Sequence, residues 1–182
     1  MQDLDFDALY GVSKGRHFYQ FYKSSEDYLK VLIAYFRAGL EKGDACLWLV
    51  SRRMGVERVY EECQARIPGF SEALASGRFQ MRSAEDWYLT LGRFDEARAL
   101  DNARQYLEEI TSAGYKVLRG AGDAGAIPHE DWPLLHSYEE KIDEFIHRFQ
   151  AIGLCAYPIF ECSITDTRHV LERHDGVLVG KL

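Results

Sequence analysis

The sequence contains no hydrophobic run long enough to cross a membrane and no recognisable leader. A transmembrane helix needs about 18 or more consecutive apolar residues, and no stretch of the 182 residues approaches that length. Residues 1–7 include three Asp and no basic group, and no apolar core follows them, so a secretory signal is not expected. We therefore expect a cytoplasmic protein that makes no contact with membranes.

Positive charge is scarce. The chain has 22 Lys and Arg residues against 29 Asp and Glu residues, which gives a net charge of −7 and a pI of about 5.4. An acidic surface without a local basic patch repels phosphate backbones, so direct binding of nucleic acid is not expected. Hydrophobic residues make up 47% of the chain and aromatic residues 13%, which excludes a disordered segment and predicts a folded core.

Cysteine pairs and the common catalytic motifs are also missing. The cysteines Cys46, Cys63, Cys155 and Cys162 include no CxxC pair, which favours reduced thiols. The sequence has no HExxH and no GxSxG, so it predicts neither a helical zinc motif nor the nucleophile of a serine hydrolase. We expect no metal. The alternative left open is a site assembled from His17, Cys46 and Cys155, which all lie on predicted strands.

Short apolar or aromatic segments alternate with segments of helical periodicity. Strands are predicted at residues 17–22, 45–50, 79–82, 115–119, 152–159 and 177–179. Helices are predicted at residues 25–42, 56–67, 95–113 and 135–149, followed by a short helix capped by Asp166. Ser24 and Gly43 are expected to cap the first helix. The alternation predicts an α/β fold, a three-layer sandwich whose mostly parallel central sheet carries helices on both faces.

A chain of this length is expected to form a single domain, because domains typically contain about 100–200 residues. We expect that domain to cover residues 1–182, with an N-terminal extension over 1–15 and a core over 16–180. The sequence leaves open whether these residues are a whole protein or a domain of a longer one.

A glycine-rich segment follows the fourth predicted strand. Gly120, Gly122 and Gly125 match the GxGxxG pattern of dinucleotide sites, but Pro128 and other loop residues separate them from the next helix. The P-loop is missing, because residues 22–27 hold no glycine and two acids. We interpret the glycine segment as a surface loop at the carboxyl edge of the sheet, where open α/β sheets bind their ligands.

Several short segments, taken in order, resemble the MEDS domain, the sensory domain typified by the repressor of dichloromethane catabolism. They are residues 17–22, 36–43, 46–50, 85–88, 115–123, 131–132, 138–139 and 154–157, which together span nearly the whole core. The resemblance implies a RecA/KaiC-like core without a P-loop. It also implies a sensor of small hydrocarbon derivatives that signals to a histidine kinase or DNA-binding module in the same or a partner chain. The family's first-strand histidine corresponds to His17, but Tyr19 stands where a cysteine often follows it.

We therefore expect a sensor, not an enzyme, that binds a small organic molecule at the carboxyl edge of the sheet and needs no cofactor. His17 would supply a polar contact. Arg119 and the glycine segment would face an anionic group if the ligand carries one. The expected wall of the ligand site is His17, Tyr19, Trp48, Trp87, Arg119, Gly122, Asp123, Cys155 and Tyr157.

Two other classes of function stay open. One is a protein–protein interaction module, including a homodimer, which binds no metabolite and would show a large exposed apolar face. The other is an enzyme that binds a nucleotide at Gly120–Gly125, which NAD, flavin or ATP would stabilise.

Overall fold

The computed structural model describes residues 12–178, so the predictions for residues 1–11 and 179–182 lie outside the described part. The strands are β1 (Arg16–Tyr22), β2 (Ala45–Val50), β3 (Phe79–Ser83), β4 (Leu89–Thr90), β5 (Arg93–Phe94), β6 (Leu118–Asp123), β7 (Ile152–Pro158) and β8 (Gly176–Val177). Six of them form one sheet in the order β3-β2-β6-β7-β1-β8, and every neighbouring pair is parallel. The strands β4 and β5 form a separate antiparallel hairpin.

Helices cover both faces of the sheet, which confirms the predicted three-layer sandwich. The helices are α1 (Ser25–Lys42), α2 (Val56–Arg66), α3 (Phe70–Ala75), α4 (Ala84–Tyr88), α5 (Glu96–Ser112), α6 (Trp132–Phe149) and α7 (Ile164–Arg173). Buried side chains of α1–α3 pack on one face, and those of α4–α7 pack on the other. None of the described helices is both long enough and apolar enough to cross a membrane.

The ends of α1 lie where its capping residues predict them. The Ser24 hydroxyl accepts a hydrogen bond from the Asp27 backbone N–H, and Gly43 closes the helix in the left-handed conformation at φ 81°. The prediction for α7 is wrong in one detail. Its N-cap is Ser163, and Asp166 is the third helical residue, whose carboxylate accepts from the Ser163 N–H at 2.8 Å to complete a capping box.

The largest error in the predicted elements concerns β6. The strand runs over Leu118–Asp123, so Gly120 and Gly122 lie inside the sheet and not in a loop. The next residues form a short 3₁₀ turn, Ala124–Ala126, so the glycines make no phosphate-binding loop before a helix. A Cβ at Gly122 would overlap the Tyr88 hydroxyl. Glycine is therefore required there by the close approach of that side chain.

The β2 strand is buried on both faces, as its unbroken apolar run predicts. Its side chains alternate between the two helical layers. Trp48 points to the α1 side, where it stacks on Phe36 at a ring separation of 4.9 Å and donates its N–H to the Tyr28 hydroxyl at 2.9 Å. Leu47 and Leu49 point to the α5–α6 side.

All four cysteines are free thiols, as predicted.

Candidate functional site

The residues predicted to line one ligand site lie on two opposite faces of the sheet. Trp48, Arg119 and Asp123 lie on the α1 side together with Cys46. The other six lie on the α5–α6 side: His17, Tyr19, Trp87, Gly122, Cys155 and Tyr157. Successive residues of a strand point to opposite faces, so the two groups do not share one face of the sheet. The metal alternative fails for the same reason, because Cys46 is separated from His17 and Cys155 by the sheet.

Arg119 is occupied by partners inside the α1 layer. Its side chain is completely buried, and its Nε donates to the Asp44 carboxylate at 2.8 Å. The guanidinium also lies over the Tyr35 ring, with 4.9 Å from its carbon to the ring centroid. A Cβ at Gly39 would collide with this side chain, so the glycine of α1 makes room for the arginine. These contacts give Arg119 a structural role.

A cavity lies between the sheet and the α5–α6 layer. Its volume is about 80 Å³. It sits beneath the middle of β2, β6 and β7 and not at the carboxyl edge, where the sequence analysis placed the ligand. Gly120 on β6 leaves open space towards it, with no heavy atom within 4 Å of where a Cβ would be. The wall is largely apolar, formed by side chains that include Leu47, Leu49, Tyr106, Ile142 and Phe145.

Two residues of the cavity wall, His17 and Cys155, belong to a buried group of possible metal ligands. We call this group, His17, Glu139, Cys155 and His174, the His–Glu–Cys–His cluster. One ligand atom from each residue lies within 4.8 Å of the others. His17 Nε2 is 3.3 Å from Cys155 Sγ and 3.5 Å from Glu139 Oε2, and His174 Nε2 is 3.6 Å from the same carboxylate oxygen.

The fold brings the cluster together from four elements. His17 and Cys155 project from the neighbouring strands β1 and β7, and Glu139 points inward from α6. His174 follows the last residue of α7, and the next residue fixes it against β1. Asp175 accepts the His17 backbone N–H at 2.8 Å and donates its own N–H to the His17 carbonyl at 2.7 Å. The two histidine rings lie 4.1 Å apart as a result.

The second ring nitrogen of each histidine and the second oxygen of Glu139 point away from the centre of the cluster, and we call them its outer atoms. Each outer atom has a polar partner. The Asp143 carboxylate lies 3.2 Å from His17 Nδ1, and the Val170 carbonyl lies 2.8 Å from His174 Nδ1. The Tyr157 hydroxyl donates to Glu139 Oε1 at 2.7 Å. Within residues 12–178, Glu139 Oε2 and His174 Nε2 have no hydrogen-bond partner although both are buried. The inner atoms therefore converge while the outer atoms are satisfied.

Burial controls the protonation of this group. Burial and then the neighbouring His17 lower the pKa of His174 to about 4, so its ring is neutral at physiological pH. Burial and then the Glu139 carboxylate raise the pKa of the Cys155 thiol well above its ordinary value. The side chains of His17 and His174 are fully buried, and that of Glu139 is 2% exposed. An anionic carboxylate in such a place is costly unless a positive charge balances it.

Two members of the cluster are among the site residues that the sequence predicts, and the other two are not. His17 and Cys155 were predicted because both lie on strands. Glu139 shares the inward face of α6 with Leu135 and Ile142, so an acid at a core position of an amphipathic helix was the available signal. His174 had no such signal, because it reaches the site through contacts of Asp175 with β1.

Comparison with known proteins identifies a family model that matches the chain and many solved structures of similar fold. The family model described as MEDS, the methanogen/methylotroph, DcmR sensory domain, matches residues 16–175. Among solved structures, the chain is similar to the flagellar accessory protein FlaH from Methanocaldococcus jannaschii, at a TM-score of 0.57 and 11% identity. The similarity covers 97% of this chain and 76% of that chain, and it shows the RecA-like fold alone. No curated protein matches the chain.

Proposed function

Because the chain belongs to the MEDS family of sensory domains, we propose that it senses a small, largely apolar organic molecule held in the cavity beneath β2, β6 and β7. The cavity is the observation that carries the proposal, since it is the kind of space that an apolar ligand enters. The bound molecule would signal to an output module, a histidine kinase or a DNA-binding domain, in the same or a partner chain. No catalytic step is part of the proposal, and the protein would work in the cytoplasm.

The size of the cavity restricts the ligand. An apolar cavity of about 150 Å³ in another protein binds benzene, and the volume here is about 80 Å³. The ligand should therefore be smaller than benzene, such as a hydrocarbon derivative of three or four heavy atoms. Its apolar part would contact Leu49 and Phe145, and a polar or halogen end would lie against His17 and Cys155.

The same size sets a limit on affinity. The best small ligands gain about 1.5 kcal/mol per heavy atom, so three heavy atoms supply at most about 4.5 kcal/mol. That free energy corresponds to a Kd of about 0.5 mM, since about 4.1 kcal/mol corresponds to 1 mM. A sensor with this affinity responds to abundant solvents or growth substrates, and a nanomolar Kd for so small a molecule would contradict the cavity as its site.

The test is a titration with dichloromethane, which has three heavy atoms, followed by ¹H–¹⁵N NMR. We expect saturable shifts at the amides of residues 118–122 and 151–155, while benzene at the same concentrations leaves them unchanged. Gly120→Ala should weaken dichloromethane binding by at least about tenfold, because the added methyl group occupies the cavity. Gly176→Ala is the matched control, because its methyl group would make only ordinary contacts with Phe18 in β1.

Two results would count against the cavity. The first is the absence of saturable shifts at dichloromethane concentrations up to about tenfold the expected Kd. The second is equal binding by the wild type and Gly120→Ala.

A second candidate function, protein–protein interaction, is favoured by exposed apolar side chains around α7. Phe160 is 82% exposed, Ile164 91% and Leu171 53%. Ile164 and Leu171 are seven residues apart, so they share one face of the helix. If this face joins two copies of the chain, Ile164→Asp should convert a dimer to a monomer in sedimentation experiments. The equally exposed Leu91 supplies the control substitution Leu91→Asp, and a wild-type monomer would exclude self-association through this face.

A further inference from the structure

We propose that the His–Glu–Cys–His cluster binds one Zn²⁺ ion through His17 Nε2, His174 Nε2, Glu139 Oε2 and Cys155 Sγ. The proposal rests on the geometry and burial of these four side chains. It goes beyond the sensor function and does not depend on it, because the four side chains can bind a metal ion whether or not the cavity holds an organic molecule.

The distances between the ligand atoms are close to those of a tetrahedral zinc site. Zinc bonds are about 2.0 Å to nitrogen and oxygen and about 2.3 Å to sulfur, so a tetrahedron places its corners about 3.3–3.6 Å apart. Three of the six separations are 3.3 Å for His17–Cys155, 3.5 Å for His17–Glu139 and 3.6 Å for His174–Glu139, and the other three are no longer than 4.8 Å. Only small side-chain movements are therefore needed to bring the four atoms around one ion.

The Nδ1 atom of each histidine and the outer oxygen of Glu139 already have hydrogen-bond partners of the kind that metal ligands usually have. A ligating histidine usually donates its other N–H to a carboxylate or a backbone carbonyl, which fixes its tautomer and orientation. Asp143 has this relation to His17, and the Val170 carbonyl has it to His174. Tyr157 holds the outer oxygen of Glu139 in the same manner. The four remaining ligand atoms lie within 4.8 Å of one another, where one ion could bind them all.

Charge balance explains why a carboxylate is buried here. Glu139 is 2% exposed, and within the described part of the chain its inner oxygen has no hydrogen-bond partner. A buried carboxylate without a balancing charge is strongly unfavourable. One thiolate and one carboxylate neutralise the charge of a divalent cation, so the occupied site is formally neutral. Binding displaces one proton from the Cys155 thiol to solvent as the sulfur–metal bond forms.

The ligand types favour zinc over the hard cations. A thiolate and two imidazoles suit Zn²⁺, whereas Mg²⁺ and Ca²⁺ prefer oxygen ligands. An ion could reach the cluster past Asp143, which contacts His17 and whose side chain is 29% exposed. With four protein ligands the site is closed, which is typical of structural zinc. The ion would tie β1, β7, α6 and the end of α7 together at one end of the cavity.

The test is a titration of chelator-treated protein with Co²⁺, a spectroscopic substitute for Zn²⁺. We expect one equivalent to bind, with the visible absorption of tetrahedral Co²⁺ and a thiolate charge-transfer band in the near ultraviolet. Stoichiometric Zn²⁺ should abolish both signals. Cys155→Ser should lose the charge-transfer band, whereas Cys162→Ser should retain it because Cys162 lies outside the cluster. An unchanged spectrum at a tenfold excess of Co²⁺, or a band that persists in Cys155→Ser, would overturn the proposal.

Three further variants separate metal binding from folding. Glu139→Gln keeps the side-chain shape and removes the buried charge, so the metal-free variant should fold and should be at least as heat-stable as the metal-free wild type. Its Zn²⁺ affinity, measured by chelator competition, should fall by more than about 100-fold, whereas Asp143→Asn should cost about 10–100-fold. Glu144→Gln, an exposed acid on the same helix, is the control. Equal losses in Glu139→Gln and Glu144→Gln would exclude Glu139 as a ligand.

The two proposals can fail independently. Dichloromethane binding by metal-free protein would support the cavity whatever the outcome of the Co²⁺ titration. Stoichiometric metal without dichloromethane binding would leave the metal site standing and refute the cavity as the sensor site.

Discussion

Adding a methyl group at Gly120 should stabilise the protein, which is unusual for a substitution inside a central strand. The strand conformation at this glycine is compatible with alanine, because its φ is not positive. A Cβ there would have no heavy atom within 4 Å, so it would enter the cavity without a clash. The methyl group is therefore buried in space that is otherwise empty.

The expected gain has two parts. Burial of one methyl group contributes about 0.8 kcal/mol, and the lower entropy of the unfolded chain contributes about 0.4–1 kcal/mol. The free energy of unfolding of Gly120→Ala should therefore rise by about 1–2 kcal/mol. For a domain of this size each kcal/mol raises Tm by about 2–4 °C, so the expected increase in Tm is about 2–8 °C.

The assay is urea and thermal unfolding of Gly120→Ala beside two other glycine variants. Gly176→Ala should gain mainly the entropy contribution, because its methyl group makes only ordinary contacts with Phe18 and does not enter the cavity. Gly122→Ala should lose about 1–3 kcal/mol, since its Cβ would overlap the buried Tyr88 hydroxyl. A Gly120→Ala variant that is less stable than the wild type would refute the reasoning, because the space beside β6 would then be absent.

Three further predictions concern groups outside the cavity. Arg119→Met should cost about 3–5 kcal/mol in urea unfolding because it leaves the buried Asp44 carboxylate unpaired, and adding Asp44→Leu should recover most of that loss. Ser163→Ala should cost about 1 kcal/mol, and adding Asp166→Ala should cost little more, since both residues serve one capping box. Burial raises the pKa of Asp123, so the folded state binds the proton of this carboxyl more tightly than the unfolded state does. The stability gained from this tighter proton binding is lost as pH rises above the unfolded pKa of about 3.9. Asp123→Asn should therefore gain stability relative to the wild type as pH rises above about 4, and a constant difference in urea midpoints would contradict this.

Local rules predicted the elements whose signals are local. The caps of α1 at Ser24 and Gly43 follow from hydrogen bonding and left-handed geometry within a few residues. The β6 strand was misplaced because Gly120 and Gly122 have low strand propensity. In the fold β6 pairs with β2 on one side and β7 on the other, and this pairing outweighs propensity.

The side of the sheet on which a residue lies could not be read from the sequence. A strand that is apolar on both faces carries no alternation, so the sequence gives no indication that Cys46 points away from Cys155. The position of His174 depends on a contact between Asp175 and His17, which are separated by 158 positions in the chain. Such a long-range contact leaves no mark in local periodicity.

At the carboxyl edge of the sheet, side chains of the protein pack around the end of β6. Asp123 at the end of β6 accepts a hydrogen bond from Tyr22 at 2.9 Å and another from Ser51. A Cβ at Gly125 would collide with the Arg53 guanidinium, so this glycine accommodates a side chain and not a phosphate. Side chains of the protein therefore occupy the end of β6, at the edge where open α/β sheets usually bind ligands.

Space is found instead beneath the central strands, and this changes how a ligand can be selected. A site at the edge of a sheet can use backbone N–H groups to hold an anion. A cavity under Gly120 meets a sheet whose backbone groups are already paired with the neighbouring strands, so only its volume and its side chains can discriminate. The volume of the cavity excludes large molecules. His17 and Cys155 line the cavity and also belong to the proposed metal site. Selectivity should therefore respond to cavity-filling substitutions at Gly120 and to occupancy of the metal site, whereas substitutions around the end of β6 should change stability alone.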